Sequence, residues 1–540
     1  MPNDRLAIVG LDGGTFRVLD VMIGAGAMPR LADLRARGVS SVLRSTVPAY
    51  TPPGWASMST GVNPGRHNTY GFLASTPQDP PRLAHSGHVA APTMWRYLAA
   101  LGKRIGVFNV PMSYPPVAVE GFMVSGGIAA GWQDAEMPNF ASDPAVAAIV
   151  REAAGGHYPL DSEVSYELDW RTWSVADRFS AIQRTRRAAL AAVLDTIDVD
   201  VVYAVFEGVD RLQHLHYQYL VEGSQWYARQ EAPQVRDHAF EYFAEVDRAI
   251  GDIVDWTGSD GHVLVVSDHG AGPWEKTVNM NLLLEEWGYL RRPAAQKVAG
   301  SRPIAGPGQW LARRVLPRSV LNRVKAKLGA SLDWDRTLAF SAQVAEQGIH
   351  VNEAEALPKG VVLSGDVPRI ERELVDRLSA YVDLDDGAPI VDRALRRSEV
   401  VHGPFIGRAP HLFLICRDHR YELSDTVAAT SPLTDRRDRP WGCHHADGVF
   451  VGAGPSFGPG TLPSGMDIVD VLPTAFHVLG VPIPEGLDGK VRLEAMHGEA
   501  AIRAPAFQGV SVEKNGAEYP FSEQAQQEIE ESLRGLGYIE

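Results

Sequence analysis

Cysteine is almost missing from this chain: 540 residues contain two, Cys416 and Cys443. A disulfide framework is therefore excluded, and a reducing compartment is the natural setting. Long apolar runs are missing too, since no uninterrupted stretch reaches the roughly 20 residues that span a bilayer. The N-terminal segment MPNDRLAIVGLDGG has no basic region followed by an apolar stretch and a cleavage site, so no secretory signal is visible. These absences predict a cytoplasmic protein, with a role at a membrane surface left open. Positive charge is the minority sign. Fifty-one Lys and Arg residues stand against 66 Asp and Glu, a formal net charge of −15. This balance argues against general affinity for nucleic-acid backbones, which needs clustered cations. A phosphorylated substrate stays open, because bound metal ions supply positive charge locally. No internal repeat and no long low-complexity tract is present.

What is there is an ordinary globular composition, 45% hydrophobic and 22% charged. At this length one large core with an insertion, or two to three domains, is expected. Residues 5–11 (RLAIVGL) read as a buried strand ended by Gly13-Gly14, and 28–38 as a short helix closing at Gly38. VSSVLRS reads as a strand, followed by a proline-rich turn and a helix around 54–60. KRIGVFNVPM and GFMVSGG read as further strands, a helix at 175–196 leads into DVDVVYAVF, and a helix at 236–256 feeds GHVLVV. Short apolar strands alternating with helices predict an α/β fold, a largely parallel central sheet with helices on both faces. Ligands bind such sheets where loops leave the carboxyl ends of strands.

Residues 291–330 differ, with ten Arg or Lys and no Asp or Glu. They read as a solvated insertion, or else as a basic lid or patch that meets an anionic substrate or a lipid surface. The expected organisation is a catalytic core at 1–290 and 441–500, an inserted basic segment and smaller α+β cap at 291–440, and a tail at 501–540. The tail ends in an amphipathic acidic helix, FSEQAQQEIEESLRGLGYIE.

The chemistry sits in short acid, histidine and hydroxyl motifs. Asp268 and His269 offer an oxygen and a nitrogen ligand just beyond a strand. The alternative is an Asx turn followed by a surface histidine. Asp210 and His214, four apart, share a face if the loop turns into a helix there, and can then chelate one ion. The alternative is a helix cap with a solvent-facing histidine. His216 would face elsewhere on that helix. Asp12 follows a strand and precedes two glycines, which let backbone approach a ligand, although simple turn chemistry accounts for it as well. A dinucleotide site is disfavoured, because GLDGGT lacks the G-x-G-x-x-G spacing and no helix is expected to begin at once. Thr51 precedes Pro52 and Pro53, residues suited to a first helical turn. Its hydroxyl is either an N-cap or a nucleophile placed where helix amides and dipole favour a phosphoryl group. As a nucleophile it needs activation, and metal coordination would provide it. One of His444 and His445 in GCHHADG would complete a second metal set with Asp210 and His214. Cys443 reads as a small buried residue.

Taken in order, IVGLDGG, TPPGWASMSTG, DRLQH, SDHG and HHADG resemble the motifs of the alkaline phosphatase superfamily, in its type I phosphodiesterase/nucleotide pyrophosphatase and prokaryotic phosphohydrolase/phosphomutase-like branches. NPGRHNTYGF, NVPMSYPP, VNMNLLLEEWGYL, GIHVN and LRRSEVVHGP extend the likeness over most of the chain. The resemblance implies an alkaline phosphatase-like fold and two divalent ions, both zinc, with manganese as the alternative. Thr51 takes the nucleophile position, nine residues before Thr60 of the TG pair. One ion would be held by Asp12, Thr51, Asp268 and His269, the other by Asp210, His214 and His444. His444 is preferred for its four-residue distance to Gly448, with His445 as rival. Relatives often place glycine straight after the histidine of the RHNTYG segment, so Asn68 is a candidate phosphate-binding residue and a turn residue by composition. The implied activity is phosphodiester hydrolysis through a covalent phosphothreonine, on a phosphorylated small-molecule or lipid-linked substrate. Phosphomonoester hydrolysis or a phosphomutase reaction on the same scaffold is an alternative, though the mutase branch favours serine and manganese. A sulfatase would carry a C/S-x-P-x-R context, which TPPGW lacks. A non-catalytic binding homologue would usually lose ligands, and all seven implied positions are filled.

Overall fold

The computed structural model describes residues 5–76, 78–126, 139–160, 172–293, 332–427 and 429–497, with scattered positions between 510 and 533. The basic segment expected at 291–330 lies, from residue 294 onward, outside the described residues.

Six strands come from the first half of the chain: β1 (Leu6–Leu11), β2 (Val39–Arg44), β3 (Ile105–Val110), β4 (Gly121–Ser125), β5 (Val201–Phe206) and β6 (His262–Val266). Two short ones follow at once, β7 (Gly270–Pro273) and β8 (Lys276–Asn279). Next come β9 (Ala339–Phe340), β10 (Gly348–Val351), β11 (Val391–Arg396) and β12 (Leu412–Cys416). The series closes with β13 (Tyr421–Ser424), β14 (Leu433–Asp435), β15 (Gly442–His445), β16 (Asp447–Ala453), β17 (Gly460–Thr461) and β18 (Met466–Asp467).

Among the described residues the central sheet has nine strands, in the order β17-β2-β16-β6-β1-β5-β3-β4, with β18 also on β2. β1 runs parallel to β5 and β6, and β3 runs parallel to β5 and β4. Only β16 is reversed in this run, antiparallel to both β2 and β6. The reason β1, β5 and β6 form the centre is visible in their residues. LAIVGL, VVYAVF and HVLVV are buried along their whole length, as strands covered on both faces must be. Ala7, Val9 and Leu11 pack one way, against Leu19, Leu31, Phe179 and Phe243 of helices Phe16–Gly24, Pro29–Arg37, Ser174–Thr196 and Ala232–Thr257. Leu6 and Ile8 pack the other way, against Trp55, Met58 and Phe476. Register brings Leu11 level with Phe206 and Gly10 level with Val266. The carboxyl ends of three neighbouring strands therefore finish at one edge.

Helix Phe16–Gly24 corrects one expectation, for it begins directly after GLDGGT. Thr15 is extended, and Val18, Leu19 and Met22 then supply a buried helical stripe. The helix expected around 54–60 runs Thr51–Thr60, because Pro52 and Pro53 fit its first turn.

Outside the central sheet, β11-β12-β10-β9 form a four-stranded antiparallel sheet whose core includes Ile370 and Leu374 of helix Val367–Ala380. β8 lies between β13, its parallel partner, and antiparallel β14, while β15 pairs antiparallel with β7. Part of the expected C-terminal helix is described, at residues 525–527, 529–530 and 533. Ile529 and Leu533, four apart, are buried in the main core. No helix among the described residues is long and apolar enough to cross a membrane.

Gly10 marks the tightest approach between the sheet and the helix that carries Thr51. A Cβ there would lie 2.4 Å from Trp55 Cη2 and 2.7 Å from Val205 Cγ2. Both neighbours are core residues, so Gly10→Ala should destabilise by about 1–3 kcal/mol through overpacking. Urea denaturation reads this as a lower midpoint with an unchanged slope, and a wild-type midpoint would show that Trp55 yields freely.

Candidate active site

Each acidic residue arrives just past a strand of the central trio. Asp12 follows β1 directly. Asp210 sits in the first turn of helix Gly208–Leu220, which follows β5, and Asp268 lies two residues after the end of β6. All three are buried. Their approach is possible because residue 13 is a glycine. Gly13 has φ +65°, and a Cβ on it would sit 2.7 Å from Asp210 Oδ1. Its backbone N–H donates to Asp268 Oδ1 at 3.1 Å, and its carbonyl accepts from Gln213 Nε2 at 2.9 Å. Trp55 Nε1–H donates to Asp12 Oδ2 at 2.9 Å.

Histidines close the other side. His269 Nε2 lies 3.3 Å from Asp268 Oδ2, 3.6 Å from Asp12 Oδ1 and 3.3 Å from Thr51 Oγ1. His214 Nε2 lies 3.3 Å from Asp210 Oδ1, one helical turn away, and 3.2 Å from His444 Nε2. His444 Nε2 is itself 4.0 Å from Asp210 Oδ1. Asp12, Asp268 and His269 form one set of ligand atoms within 4.8 Å of one another, and Asp210, His269 and His444 form a second. His269 therefore stands between the two sets. His214 adjoins the second through Asp210 and His444.

His444 and His445 part company because successive strand residues face opposite ways. His445 Nε2 points to Asp418 Oδ1 at 3.6 Å, and its ring packs 5.0 Å from that of His419. His216 is buried beside the Tyr219 ring, away from both sets. Cys443 is buried and unpaired. Asn68 also falls outside the sets. It occupies a left-handed position after the short helix Pro64–His67, accepts from Arg408 Nη1 at 3.0 Å, and lines a cleft with Tyr70, Glu346, His350 and His411. The helix opened by Thr51 offers fewer amides than its N-terminus suggested. Pro52 and Pro53 carry no N–H, and Gly54 N–H donates to Tyr50 O at 2.9 Å.

Glu422, from β13, carries no motif signal. It is a charged residue inside YELS, a strand buried throughout. Its carboxylate accepts a short hydrogen bond from Tyr50 OH, and its Oε1 lies 3.6 Å from His444 Nδ1. Trp55 and Gln213 lie within the TPPGWASMSTG and DRLQH motifs, but their contacts with Asp12 and Gly13 come from the fold.

The electrostatics are those of a cation site. Burial, with Asp210 adding to it, pushes the Asp12 carboxyl well above the carboxylate range. Burial and then Asp12 do the same to Asp268. Burial opposes charge on Asp210 too, but His214, His444 and His269 around it hold its carboxyl below the usual value. Burial, with His444 beside it, holds His269 down to about 3, so its ring is neutral at physiological pH. Asp12 Oδ1 and Asp268 Oδ2 are buried without a hydrogen-bond partner among the described residues. Such atoms are costly unless something charged meets them. Carboxylate and imidazole donors of this kind suit zinc or manganese, so the residues fit metal ions.

A family pattern described as type I phosphodiesterase / nucleotide pyrophosphatase matches residues 6–378. The chain belongs to this family. It is accordingly a phosphoester hydrolase. Among solved structures it is similar to phosphonoacetate hydrolase from Sinorhizobium meliloti 1021, with 18% identity, 89% of this chain and 96% of that one covered, and a TM-score of 0.51. It is similar as well to the alkaline phosphatase PafA, with 12% identity, coverage of 92% and 99%, and a TM-score of 0.51. Human ectonucleotide pyrophosphatase / phosphodiesterase 5 aligns at 11% identity over 92% of this chain and 100% of that one, with a TM-score of 0.48. The first two likenesses establish the alkaline phosphatase-like fold. No curated protein sequence matches.

Clustered buried acids weaken a fold until a cation joins them. Zinc at about 100 times its Kd should add roughly 2.7 kcal/mol to the stability of the chelator-treated protein, seen as a higher Tm. Asp268→Asn should remove the share of that gain contributed by the Asp12, Asp268 and His269 set, while leaving the metal-free protein as stable as wild type, or up to about 2 kcal/mol more so, because a strained functional site is relaxed. A full zinc-induced Tm shift in the variant would remove Asp268 from the site.

Proposed function

We propose that the chain is a two-metal phosphodiesterase acting through a covalent phosphothreonine on Thr51. The observation that carries this reading is the Thr51 hydroxyl, 3.3 Å from the same His269 nitrogen that faces Asp12 and Asp268. On this reading Asp12, Thr51, Asp268 and His269 hold one divalent ion, and Asp210, His214 and His444 hold the other. Zinc is the preferred ion and manganese the alternative.

Bound divalent ions supply Lewis acidity, which lowers the pKa of the threonine hydroxyl and neutralises charge on the phosphoryl oxygens. The chain's own residues do the rest. Helix Thr51–Thr60 fixes Thr51 at its first turn, and Trp55 of the same helix orients Asp12 through its Nε1–H. Neutral His269 presents its Nε2 lone pair and keeps the other ring nitrogen on Gly270 O at 3.0 Å. In the first step the Thr51 Oγ–phosphorus bond forms as the bond to the leaving ester oxygen breaks in line, releasing an alcohol. In the second, water takes the phosphoryl group from Thr51, giving a phosphomonoester and restoring the hydroxyl. Little acid–base machinery is required for such a loose transition state.

The substrate class is a small phosphorylated molecule, with a lipid-linked phosphodiester as the case in which the basic segment takes part. The two unpaired buried cysteines fit a cytoplasmic location.

Thr51→Ala should cut turnover of a chromogenic aryl phosphodiester by about a thousandfold or more, with metal content largely intact by elemental analysis, since Asp12, Asp268 and His269 remain. Thr51→Ser should keep part of the activity. Turnover by Thr51→Ala within tenfold of wild type rules out the covalent role. An aryl monoester hydrolysed faster than the diester by the wild-type protein would move the assignment to a phosphomonoesterase.

A further inference from the structure

All three histidines turn Nε2 toward the carboxylate cluster, and each has something behind its other nitrogen. His214 Nδ1 lies 3.0 Å from Gly442 O, and His269 Nδ1 lies 3.0 Å from Gly270 O. A ring whose Nδ1–H is donated to a carbonyl exposes the Nε2 lone pair, the form a cation needs. His444 is built differently. Behind its Nδ1 stands a side-chain carboxylate, Glu422 Oε1, at 3.6 Å. That is an ion-pair contact that a small ring rotation closes into a hydrogen bond.

Glu422 is itself fixed. Tyr50 OH donates to its Oε1, and Gln347 Nε2 donates to Tyr50 OH at 3.4 Å. The Tyr50 ring lies 4.0 Å from the His444 ring. Tyr50 is also the residue before Thr51, so one side chain touches the histidine, its carboxylate and the entry to the nucleophile helix. Glu422 comes from β13, which pairs with β8 and is no part of the central sheet.

We propose that Glu422, oriented by Tyr50, is a positioning residue that fixes the tautomer and direction of His444 for a divalent cation. It rests on the two-metal reading above. A carboxylate behind an imidazole raises its basicity and locks its orientation more firmly than a carbonyl does. The cation between Asp210, His214 and His444 is then the one whose affinity Glu422 sets, and the cation at Asp12 and Asp268 is not.

The test is zinc affinity, measured by chelator competition on the full chain, with the visible absorption of the cobalt-loaded protein as a spectroscopic readout. Glu422→Ala should weaken one of two zinc sites by about 10- to 100-fold and leave the other unchanged. Glu422→Gln should weaken the same site by less, since its amide oxygen still accepts from Nδ1–H without charge. Tyr50→Phe should change the cobalt spectrum in the same direction as Glu422→Gln. Wild-type zinc affinity and an unaltered cobalt spectrum in Glu422→Gln overturn the inference, and that variant decides the matter where Glu422→Ala does not fold. A wild-type protein that holds no zinc overturns the two-metal reading instead, so the two failures are distinct.

Discussion

Three carboxylates buried at the ends of neighbouring strands set the terms for the rest of this molecule. Asp12, Asp210 and Asp268 are carried to one edge because β6, β1 and β5 are parallel and in level register. Buried like charges in a medium of low dielectric repel strongly. Asp210 escapes by facing imidazoles, whereas Asp12 and Asp268 are each left with an oxygen that no donor among the described residues meets. Evolution removes such a cost where it can. Here Trp55 and the Gly13 N–H hold the two acids in place instead, as a site that awaits positive charge requires.

That arrangement explains how much could be read from the sequence. The strands were legible because a strand covered on both faces has no polar positions, and LAIVGL, VVYAVF and HVLVV have none beyond His262 at an end. Once they are parallel, acids just beyond their carboxyl ends must converge. The Asp210–His214 pair was legible for a similar reason, since four residues on a helix is one face. Helix Phe16–Gly24 was missed because two glycines mask its start, while its buried stripe begins only at Val18.

Other parts were illegible because they depend on strand parity or on contacts far apart in the chain. Choosing between His444 and His445 needs β15 and its register with β7, where His444 lies opposite Ala271 and His445 opposite Gly270. The doublet alone contains no parity. Glu422 meets His444 across a sheet it does not share, so no spacing announces it. Asn68 is a similar case. Its motif context suggested a phosphate-binding role, and the structure gives it a left-handed backbone and a hydrogen bond from Arg408 that no spacing announces.

The site is thus assembled from two layers with different origins. The central sheet delivers the carboxylates, and the helix from Thr51 delivers the hydroxyl. The histidine side leans on shorter elements outside that sheet: β7 and β15 place His444 beside His269, with ring centroids 4.3 Å apart, and β13 brings Glu422 behind it. Changes in the outer strands can therefore tune one imidazole without disturbing the buried acids. A scaffold built this way can keep its phosphoryl-transfer centre while the surrounding strands and loops change what it admits, which is how one fold comes to serve several substrates.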